Sequence, residues 1–467
     1  MFRISNHYVS KIVFLLLFVE VLVLLGAAYI GAAVRMLEFG DAATAAQLDH
    51  FFTSAVAFTV AIIFSMSAMG MYQLDFDEGL RHPFFMKLMP SFLMGFAILA
   101  LVFYMAPELS FGRGTMALIF MLAGTGIFLA RMAFFKSSEA RFLQSRIMFL
   151  GGGPLAKECS ELAAKNSNYH KYNIVGFIPS PSEELCVPTD HLLKVRDGDS
   201  MVSLARQYNV SEIVVSVQNR RGGFPIKELL DCKLQGIRVT DAATFFERET
   251  CQIRVDSLQP SWLVFGGGFD QSFVRTFMKR TFDLVCSLLI LLMAFPLMLL
   301  AALAVKLEDG GPVFYSQERV GKDGKTFHVH KFRSMRADAE KGGKPQWAAQ
   351  NDPRVTRFGN FMRKTRIDEL PQILNVFNGE MSFVGPRPER PYFVEQLIEV
   401  VPYYNVRHSV KPGITGWAQV RYGYGSSAED ALQKLQYDLY YVKNNSLFLD
   451  VLILINTLKV VLFRSGR

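Results

Sequence analysis

An acidic pair, Asp368-Glu369, directly follows a dense run of positive charge. Between Arg354 and Arg366 the chain has five basic residues and no acidic one: Arg354, Arg357, Arg363, Lys364 and Arg366. Such a concentration of positive charge favours ionised carboxylates and also binds phosphate. Neighbouring side chains on a helix point in different directions. One carboxylate could therefore act as a nucleophile while the other holds a metal ion.

The acidic pair is followed by Leu370-Pro371, which indicates the start of a helix. Proline fits the first helical turn because its missing N–H is not needed there, and aspartate is a preferred cap residue. We therefore predict that Asp368 opens a helix with the apolar face Leu370, Ile373, Leu374 and Phe377. In the alternative interpretation, Asp368 is only a cap and Glu369 only compensates the helix dipole. The crowding of Arg363, Lys364 and Arg366 argues against it.

A second candidate anion site is the segment from Ser382 to Arg390. Pro386 and Pro388 flank Arg387 and restrict the backbone, so the guanidinium is preorganised for bidentate contact with a phosphate. A third rigid turn runs from Lys411 to Val420, and it could equally be a structural corner.

The uncharged stretch Leu284–Val305 is long enough to cross a bilayer, but it is basic at both ends. Lys279 and Arg280 precede it and Lys306 follows it. Positive charge favours the cytoplasmic side of a membrane, and Pro296 near the middle predicts a kink. We therefore predict a re-entrant helix, at about residues 283–307, that enters the cytoplasmic leaflet, bends and returns.

Residues 1–136 are predicted to form a four-helix transmembrane bundle. Four apolar runs support it: Ile12–Val34, Phe51–Tyr72, Leu88–Ala106 and Thr115–Ala130. The distribution of basic residues places the N-terminus and everything after the fourth run in the cytoplasm. Glu20 lies inside the first run, where a charge is costly and could therefore be functional. Pairing with another helix of the bundle is the favoured interpretation.

Residues 137–270 have the pattern of an α/β Rossmann-like module followed by a linker. Predicted strands alternate with helices, which is typical of a parallel sheet. The spacing Gly151-x-Gly153-x-x-Ala156 after the first strand fits a dinucleotide-type phosphate loop. Pro154 is unusual in such a loop, and no acidic ribose ligand ends the second strand. A structural or assembly role is therefore favoured over a bound nucleotide.

Taken together, the motifs from about Lys279 onward resemble the bacterial sugar transferase family, the monotopic polyprenyl-phosphate glycosyl-1-phosphate transferases. The matching segments are Lys279-Arg280-x-Phe282-Asp283, Lys331–Met335, Asp368–Gln372, Ser382–Pro388 and Pro412–Gly416. The four N-terminal runs and the Rossmann-like module resemble the long form of the family, which initiates exopolysaccharide and O-antigen assembly. The resemblance implies a mainly α catalytic domain at residues 271–467, with interfacial helices. The apolar stretch Phe448–Phe463 fits such a helix.

The resemblance also implies the reaction. Asp368 would attack the sugar-bonded phosphate of a UDP-sugar, release UMP and form a phosphosugar-aspartate. A polyprenyl (undecaprenyl) phosphate would then attack this intermediate and leave as polyprenyl-diphosphate-sugar. Glu369 would bind Mg²⁺. Phosphate would be held by residues matching family positions and their neighbours: Arg363, Arg387, Lys331, Arg333 and Arg366. Pro296 would kink the family's re-entrant helix at the cytoplasmic face of the bacterial inner membrane.

Composition agrees with a membrane enzyme acting on phosphates. The 467 residues are 51% hydrophobic and carry a net charge of +8. That is too apolar and too long for one soluble domain, and the charge suits an anionic membrane surface. The basic residues are interleaved with membrane segments, so nucleic acid is not an expected partner. The scattered cysteines form no CxxC pair, so neither a zinc site nor a disulfide framework is predicted. A homodimer is expected because the α/β module has no evident catalytic task.

Two other interpretations are open on the sequence alone. In a polytopic lipid transferase the membrane spans would build the active site, with acidic clusters in the cytoplasmic loops. Asp75, Asp77 and Glu78 form one such cluster, but no basic phosphate pocket accompanies it. In a membrane-anchored regulator the Rossmann-like module would sense a nucleotide without transferase activity. The intact Asp368-Glu369 pair beside Arg363 and Arg387 argues against lost activity.

Overall fold

The computed structural model describes residues 2–4, 7–9, 11–39, 48–72, 82–138, 144–165, 172–180, 183–193, 200–218, 224–255, 269, 272–336, 339, 352–423, 425 and 427–463. The chain divides into two units, one of residues 1–2 and 9–250 and one of residues 3–8 and 251–467. Two short strands, β1 (Phe2–Ile4) and β2 (His7–Val9), pair with each other.

The first unit begins with long apolar helices: α1 (Lys11–Phe39), α2 (Leu48–Ala68), α3 (His82–Met105) and α4 (Arg113–Ser138). Each is long and apolar enough to cross a membrane. The helix α4 has 26 residues and extends beyond the predicted run Thr115–Ala130 at both ends. A buried core joins the four helices, with members such as Leu24, Phe58, Ile62, Leu99 and Ile119. The chain is a membrane protein.

Glu20 pairs with another helix of the first unit, as predicted, because Arg131 lies in α4. Its carboxylate forms an ion pair with the Arg131 guanidinium and accepts a hydrogen bond of 2.5 Å from the Tyr72 hydroxyl. Arg131 Nη1 also donates to the Met71 carbonyl oxygen at 3.1 Å. Glu20 is fully buried, so these partners offset the cost of placing its charge among apolar helices. Asp75, Asp77 and Glu78 lie outside the described residues.

The rest of the first unit is an α/β module with a parallel sheet. Its strands are β3 (Ser145–Leu150), β4 (Tyr172–Ile178), β5 (Glu212–Val215) and β6 (Arg238–Asp241), in the order β4-β3-β5-β6. All neighbouring pairs are parallel, as the alternating pattern predicted. The helices that connect the strands are α5 (Pro154–Lys165), α6 (Met201–Gln207) and α7 (Ile226–Leu234). A further helix, α8 (Ala242–Thr250), follows β6.

Successive side chains of β3 alternate between two hydrophobic cores, one on each side of the sheet. Ile147 and Phe149 pack with residues of α5 and α8, whereas Met148 and Leu150 pack with residues of α6 and α7. Successive side chains of a strand point to opposite faces, so a sheet covered by helices on both sides has strands that are apolar throughout.

The second unit contains a long helix, α9 (Phe273–Asp309), and an antiparallel hairpin of β7 (Phe314–Val320) and β8 (Thr326–Phe332). The helices that follow are α10 (Arg357–Thr365), α11 (Gln372–Asn378), α12 (Pro391–Val400), α13 (Trp417–Arg421), α14 (Ala428–Asn444) and α15 (Leu447–Phe463). Short parallel strands β9 (Ser382–Val384) and β10 (Gly413–Thr415) lie among them. The unit is therefore mainly α-helical, as expected.

The core of the second unit centres on α14 and reaches back before the predicted domain start at residue 271. Tyr440 and Tyr441 are fully buried, and Cys251 belongs to the same cluster. The Trp417 indole N–H donates to the Cys251 carbonyl oxygen at 3.0 Å. The predicted linker falls mostly outside the described residues, and the predicted domain boundaries remain predictions.

Both ends of α9 contact the rest of the second unit, whereas the apolar side chains in its middle are mostly exposed. Near the start, Arg280 donates to the Val376 and Phe377 carbonyl oxygens at 2.6 and 2.7 Å. At the other end, Asp309 forms an ion pair with Arg333, and Ala301 and Val305 are buried. Between them, large apolar side chains such as Leu292, Met293 and Phe295 are exposed. Pro296 lies inside the 37-residue helix, and the kink there remains a prediction.

Candidate active site

The acidic pair lies in a separate 3-10 turn, Ile367–Glu369, between α10 and α11. The prediction that Asp368 caps the next helix is wrong, because Pro371 occupies the cap position and no side chain caps α11. Arg366 ends α10 in a left-handed conformation, with φ of 61°. That reversal starts a new turn before α11 can begin, and the turn buries both carboxylates.

Three cations surround one oxygen of Glu369. Its Oε1 lies 3.0 Å from Arg387 Nη2, 3.3 Å from Lys331 Nζ and 3.5 Å from Arg366 Nη1. Burial by itself raises the pKa of Glu369, but the three positive charges outweigh it and hold that pKa well below its usual range. Glu369 is therefore ionised, and it joins three predicted phosphate ligands at one point.

Asp368 is buried beside this cluster but is not paired in the same way. Its Oδ1 has no hydrogen-bond partner within the described part of the chain. Burial raises the pKa of Asp368, and the negative charge of Glu369 adds to the rise, while the Lys331, Arg363 and Arg366 charges oppose it. A buried carboxylate oxygen without a partner is costly unless a ligand uses it. This is the arrangement expected of a nucleophile.

Lys331 reaches Glu369 because the side chain of Asn375 fastens its strand to α11. Asn375 Nδ2 donates to the His328 carbonyl oxygen at 2.7 Å, and the His330 N–H donates to Asn375 Oδ1 at 3.1 Å. The fully buried amide thus pairs with β8 as a neighbouring strand would. Our sequence reasoning missed Asn375, although a polar residue between Leu374 and Val376 on an apolar helix is a usable signal.

The loop that carries Arg387 is fastened through four successive carbonyl oxygens. The Pro386 and Arg387 oxygens accept from Gly413 N at 3.0 Å and Arg407 Nη2 at 2.9 Å. Those of Pro388 and Glu389 accept from Arg319 Nη1 at 3.1 Å and Val320 N at 2.9 Å. The expected rigidity of this loop therefore comes from the surrounding framework as well as from its prolines, and the Gly413 turn is part of that framework.

Arg407 is itself held by two buried partners, one nearby in the sequence and one distant. Its Nη2 lies 2.8 Å from Asp438 Oδ2, and its Nη1 donates to the Tyr404 hydroxyl at 2.6 Å. Arg407 and Asp438 are both buried. Our sequence reasoning missed both, because nothing in the local sequence links residues so far apart.

Arg363 and Arg333 have different surroundings. Arg363 Nε donates to the Ser334 hydroxyl at 2.9 Å, and its charge acts on Asp368. Arg333 does not contact the acidic pair: its Nη1 lies 2.8 Å from Asp309 Oδ2 at the end of α9. The expectation that Arg333 lines the phosphate pocket is therefore not supported by its contacts. Residue 333 follows the end of β8, and its guanidinium ties α9 to that strand.

Comparison with known sequences places these residues in a family. The profile described as "Bacterial sugar transferase" matches residues 274–464. The chain is 43% identical over 194 residues to the "Exopolysaccharide production protein PSS" of Rhizobium leguminosarum bv. phaseoli, covering 40% of this chain and 96% of that protein. The chain belongs to the bacterial sugar transferase family.

Longer relatives match over part of their length. One is the "UDP-N-acetylgalactosamine-undecaprenyl-phosphate N-acetylgalactosaminephosphotransferase" of Aeromonas hydrophila, 44% identical over 238 residues, 51% of this chain and 55% of that protein. Another is the "UDP-glucose:undecaprenyl-phosphate glucose-1-phosphate transferase" of Escherichia coli (strain K12), 46% identical over 188 residues, 39% of this chain and 40% of that protein. The matched part thus spans about half of these relatives or less.

The acidic pair of this sugar transferase has the chemistry of a shared Mg²⁺ site. The described residues contain no group of three or more His, Cys, Asp or Glu side chains arranged for a metal. Mg²⁺, however, is commonly bound through one or two carboxylates plus substrate phosphates rather than by a complete protein cage. The ionised Glu369 carboxylate fits that pattern as the single protein ligand, which leaves Asp368 Oδ1 without a partner.

The glycine loop of the α/β module forms where the sequence predicted, between β3 and α5. Gly151 has φ of +123°, and a Cβ there would lie 3.0 Å from the Ser216 backbone. A carboxylate faces this loop, because Glu183 Oε2 lies 3.3 Å from the Cβ position of Gly153. Glu183 Oε1 accepts from the Gln218 N–H at 2.6 Å. An anion in this position disfavours a second anion, so the charge here agrees with a structural role for the loop.

Proposed function

We propose that this sugar transferase moves a sugar 1-phosphate from a UDP-sugar to polyprenyl phosphate and releases UMP, as an early membrane step of glycan assembly. The observation that carries the proposal is the buried, unpartnered Asp368 Oδ1 beside a Glu369 held ionised by three cations. The names of the Aeromonas and Escherichia relatives give undecaprenyl phosphate as the acceptor, and we propose the same acceptor here.

The first step is attack by Asp368 Oδ1 on the phosphorus bonded to the sugar. A bond forms between this oxygen and phosphorus, and the bond from phosphorus to the bridging oxygen breaks, so UMP leaves with the electron pair. Arg363, Arg366 and Arg387 offset the negative charge that builds up on the phosphate oxygens. Covalent catalysis by a carboxylate divides one difficult displacement into two easier ones.

The second step returns Asp368 to its starting state. A phosphate oxygen of the acceptor attacks the phosphorus of the phosphosugar-aspartate, and the bond to Asp368 breaks. The product is polyprenyl-diphosphate-sugar. Glu369 is the proposed Mg²⁺ ligand, and the metal when bound supplies positive charge at the diphosphate. Lys331 and Arg387 keep Glu369 oriented and ionised throughout.

The acceptor is a lipid, so the site must lie at a membrane surface. We propose that α9 is the re-entrant helix, kinked at Pro296, and that α1–α4 form the transmembrane bundle of an inner-membrane protein with its catalytic unit on the cytoplasmic face. Support comes from the contacts of both ends of α9 with the mainly α unit and from its exposed apolar middle. The Rossmann-like module is proposed to mediate a homodimer.

Membrane topology can be tested by thiol labelling. Cysteines introduced at Ser272 and Lys325, on either side of α9, should both react with a membrane-impermeant reagent from the cytoplasmic side of vesicles. Labelling of the parent protein gives the background of its five native cysteines. Reaction of the two positions from opposite sides would contradict a re-entrant helix. Molecular mass in lipid nanodiscs tests the homodimer, and one chain per disc would exclude it.

The reaction is tested with purified protein in nanodiscs, Mg²⁺, undecaprenyl phosphate and a panel of UDP-sugars. We expect UMP release and a lipid-linked sugar with at least one donor. Without acceptor, intact-mass measurement should show a sugar-phosphate adduct on a peptide that contains Asp368. A membrane-anchored regulator would release no UMP with any donor, and an adduct on another residue would remove Asp368 as the nucleophile.

A further inference from the structure

Two basic side chains of the second unit converge on Gly379, at the end of α11 that lies opposite to the acidic pair. A Cβ atom on Gly379 would lie 3.5 Å from Arg280 Nη2 and 3.5 Å from Lys411 Nζ. Gly379 has φ of +85°, a left-handed conformation that favours glycine. Because glycine has no side chain, a space remains between the two cations. We call this space the Gly379 notch.

Within the described part of the chain, neither cation of the notch is paired with an acidic side chain. Arg280 donates one N–H from each terminal nitrogen to the Val376 and Phe377 carbonyl oxygens, so its Nη2 keeps a second N–H. Lys411 Nζ forms no hydrogen bond or ion pair with the described residues. Burial, followed by the charge of Arg280, lowers the pKa of Lys411, and the Lys322 charge adds to this effect. Like charges held close together repel each other, and an anion in the notch would offset that repulsion.

Two carboxyl groups lie near the notch, but hydrogen bonds orient both of them toward other groups. Asp283, which acts on the Lys411 charge, accepts through Oδ1 from the Ser382 hydroxyl at 3.0 Å. Glu380, the residue after the notch glycine, accepts through Oε2 from Asn375 Nδ2 at 2.7 Å. The notch therefore offers two positively charged donors to an anion that has several oxygen atoms, such as a phosphate.

The surface beside the notch is apolar. Phe277 lies about one helical turn before Arg280 on α9, and its side chain is exposed. Leu374 and Phe377 share one face of α11 and are also exposed. These side chains offer nothing to a free inorganic anion, whereas they suit the acyl chains of a lipid. A membrane phospholipid carries its phosphate directly beside such chains, at the boundary of headgroups and hydrocarbon.

A phosphate in the notch would be too far from Asp368 to take part in the reaction. Helix α11 has seven residues, and at the usual rise per residue it separates the notch from the acidic pair by about 10 Å. Neither the reacting phosphate of the donor nor that of the acceptor can therefore occupy the notch. Its occupant is a molecule that the reaction does not consume.

We propose that the Gly379 notch binds the phosphate of an anionic glycerophospholipid, with Arg280 and Lys411 as its ligands and the acyl chains along α9 and α11. The negative headgroup complements the two unpaired cations, and anionic lipids attract basic segments at membrane surfaces. The proposal rests on the part of the proposed function that puts α9 in the membrane, and it does not depend on the reaction.

A bound lipid would also connect the elements that carry the active site. Arg280 belongs to α9 and contacts the end of α11, the helix that follows the acidic pair. Lys411 directly precedes the turn whose Gly413 N–H donates to the Pro386 carbonyl oxygen in the Arg387 loop. A phosphate held by both cations would restrain α11 and the Arg387 loop relative to each other. Anionic phospholipid is therefore expected to increase activity.

The binding test uses native mass spectrometry of the full chain in detergent with phosphatidylglycerol or phosphatidylcholine. The wild type should retain one phosphatidylglycerol, with an affinity about fivefold or more above that for phosphatidylcholine. Lys411→Gln should weaken binding of phosphatidylglycerol about tenfold, because a charge-assisted contact is lost, and Lys411→Arg should stay within about twofold of wild type. Gly379→Asn should also weaken it, since asparagine tolerates the left-handed conformation and fills the notch. Lys325→Gln, which removes the charge of an exposed lysine in the same unit, should match the wild type.

Three results would overturn the assignment of the notch to a phospholipid. One is binding of phosphatidylglycerol by Lys411→Gln as tight as that by the wild type. Another is displacement of the lipid by an equal concentration of glycerol 1-phosphate, which would make the notch a site for soluble phosphates. The third is displacement by equimolar undecaprenyl phosphate, which would assign the notch to the acceptor.

Activity in nanodiscs tests the connection to the active site. When phosphatidylglycerol replaces phosphatidylcholine in the disc, UMP release by the wild type and Lys411→Arg should rise about fivefold, and release by Lys411→Gln should not. An equal rise in Lys411→Gln would overturn the connection between the notch and the Arg387 loop. If the wild type released no UMP from any donor, the proposed function would fail, whereas the binding measurement would still decide the lipid site.

Discussion

The Gly151 loop of the α/β module and the Arg387 loop of the mainly α unit differ in the charge that faces them. Both are glycine- and proline-containing turns with constrained backbones at which the sequence suggested an anion. At Gly153 the nearest side chain is the Glu183 carboxylate. The Arg387 guanidinium contacts the Glu369 carboxylate, which Lys331 and Arg366 also contact. Backbone shape alone therefore does not make an anion site, and side chains brought from elsewhere decide it.

The largest effect is expected from the nucleophile. Asp368→Asn keeps the size of the side chain but removes the attacking carboxylate, so UMP release should fall about 10³-fold or more. Stopped assays of UMP release measure it, with Glu395→Gln, an exposed acid on α12, as the matched control. Residual UMP release above about one tenth of wild type would show that Asp368 is not the attacking nucleophile.

Glu369→Gln should lower kcat/KM about 10²-fold, because three cations lose the charge they contact. It should also change the pH profile. Glu369 helps raise the pKa of Asp368, and the attacking form is the carboxylate, so activity falls as pH drops through that pKa. Without the Glu369 charge the pKa of Asp368 falls, and the acid limb of the kcat/KM profile should move to lower pH. An acid limb that moves upward would contradict this coupling.

Asp438→Asn should have a smaller effect on activity and a clear effect on stability. The buried Arg407 guanidinium would lose its ionic partner, and the Arg387 loop would lose part of its fastening. We expect kcat/KM to fall about 10-fold and the melting temperature by about 10 °C.

Arg238→Lys, in an ion pair of the α/β module, is the comparison for Asp438→Asn, and it should change kcat/KM less than about twofold. Equal losses of activity in the two variants would show that general destabilisation, rather than the position of Arg387, limits the reaction.

Glu183→Gln should have the smallest effect. The side chain faces the Gly153 loop and takes no part in the proposed chemistry, so UMP release should stay within about twofold of wild type. Calorimetric titration of the wild type with UMP should show a single site per chain. A second site that strengthens in Glu183→Gln would contradict the contrast between the two loops, since the glycine loop would then bind an anion after all.

Sequence determined the chemistry of this protein because the groups needed are fixed by residue type. Asp368, Glu369, Arg387 and the basic run before them carry their charges in any fold. Periodicity also determined the apolar helices and the parallel α/β module, since hydrophobic spacing follows the geometry of each element. The pairing of Glu20 with another helix followed from the cost of an isolated charge in an apolar span.

Tertiary structure decided which of these groups meet. It separated Asp368 from α11 in its own turn, turned Arg333 toward Asp309, and placed Glu183 over the glycine loop. It also recruited Asn375, Arg407 and Asp438, whose roles depend on contacts between residues distant in the chain. The physical reason is that burial and charge pairing depend on neighbours in space, and a linear pattern does not specify those neighbours.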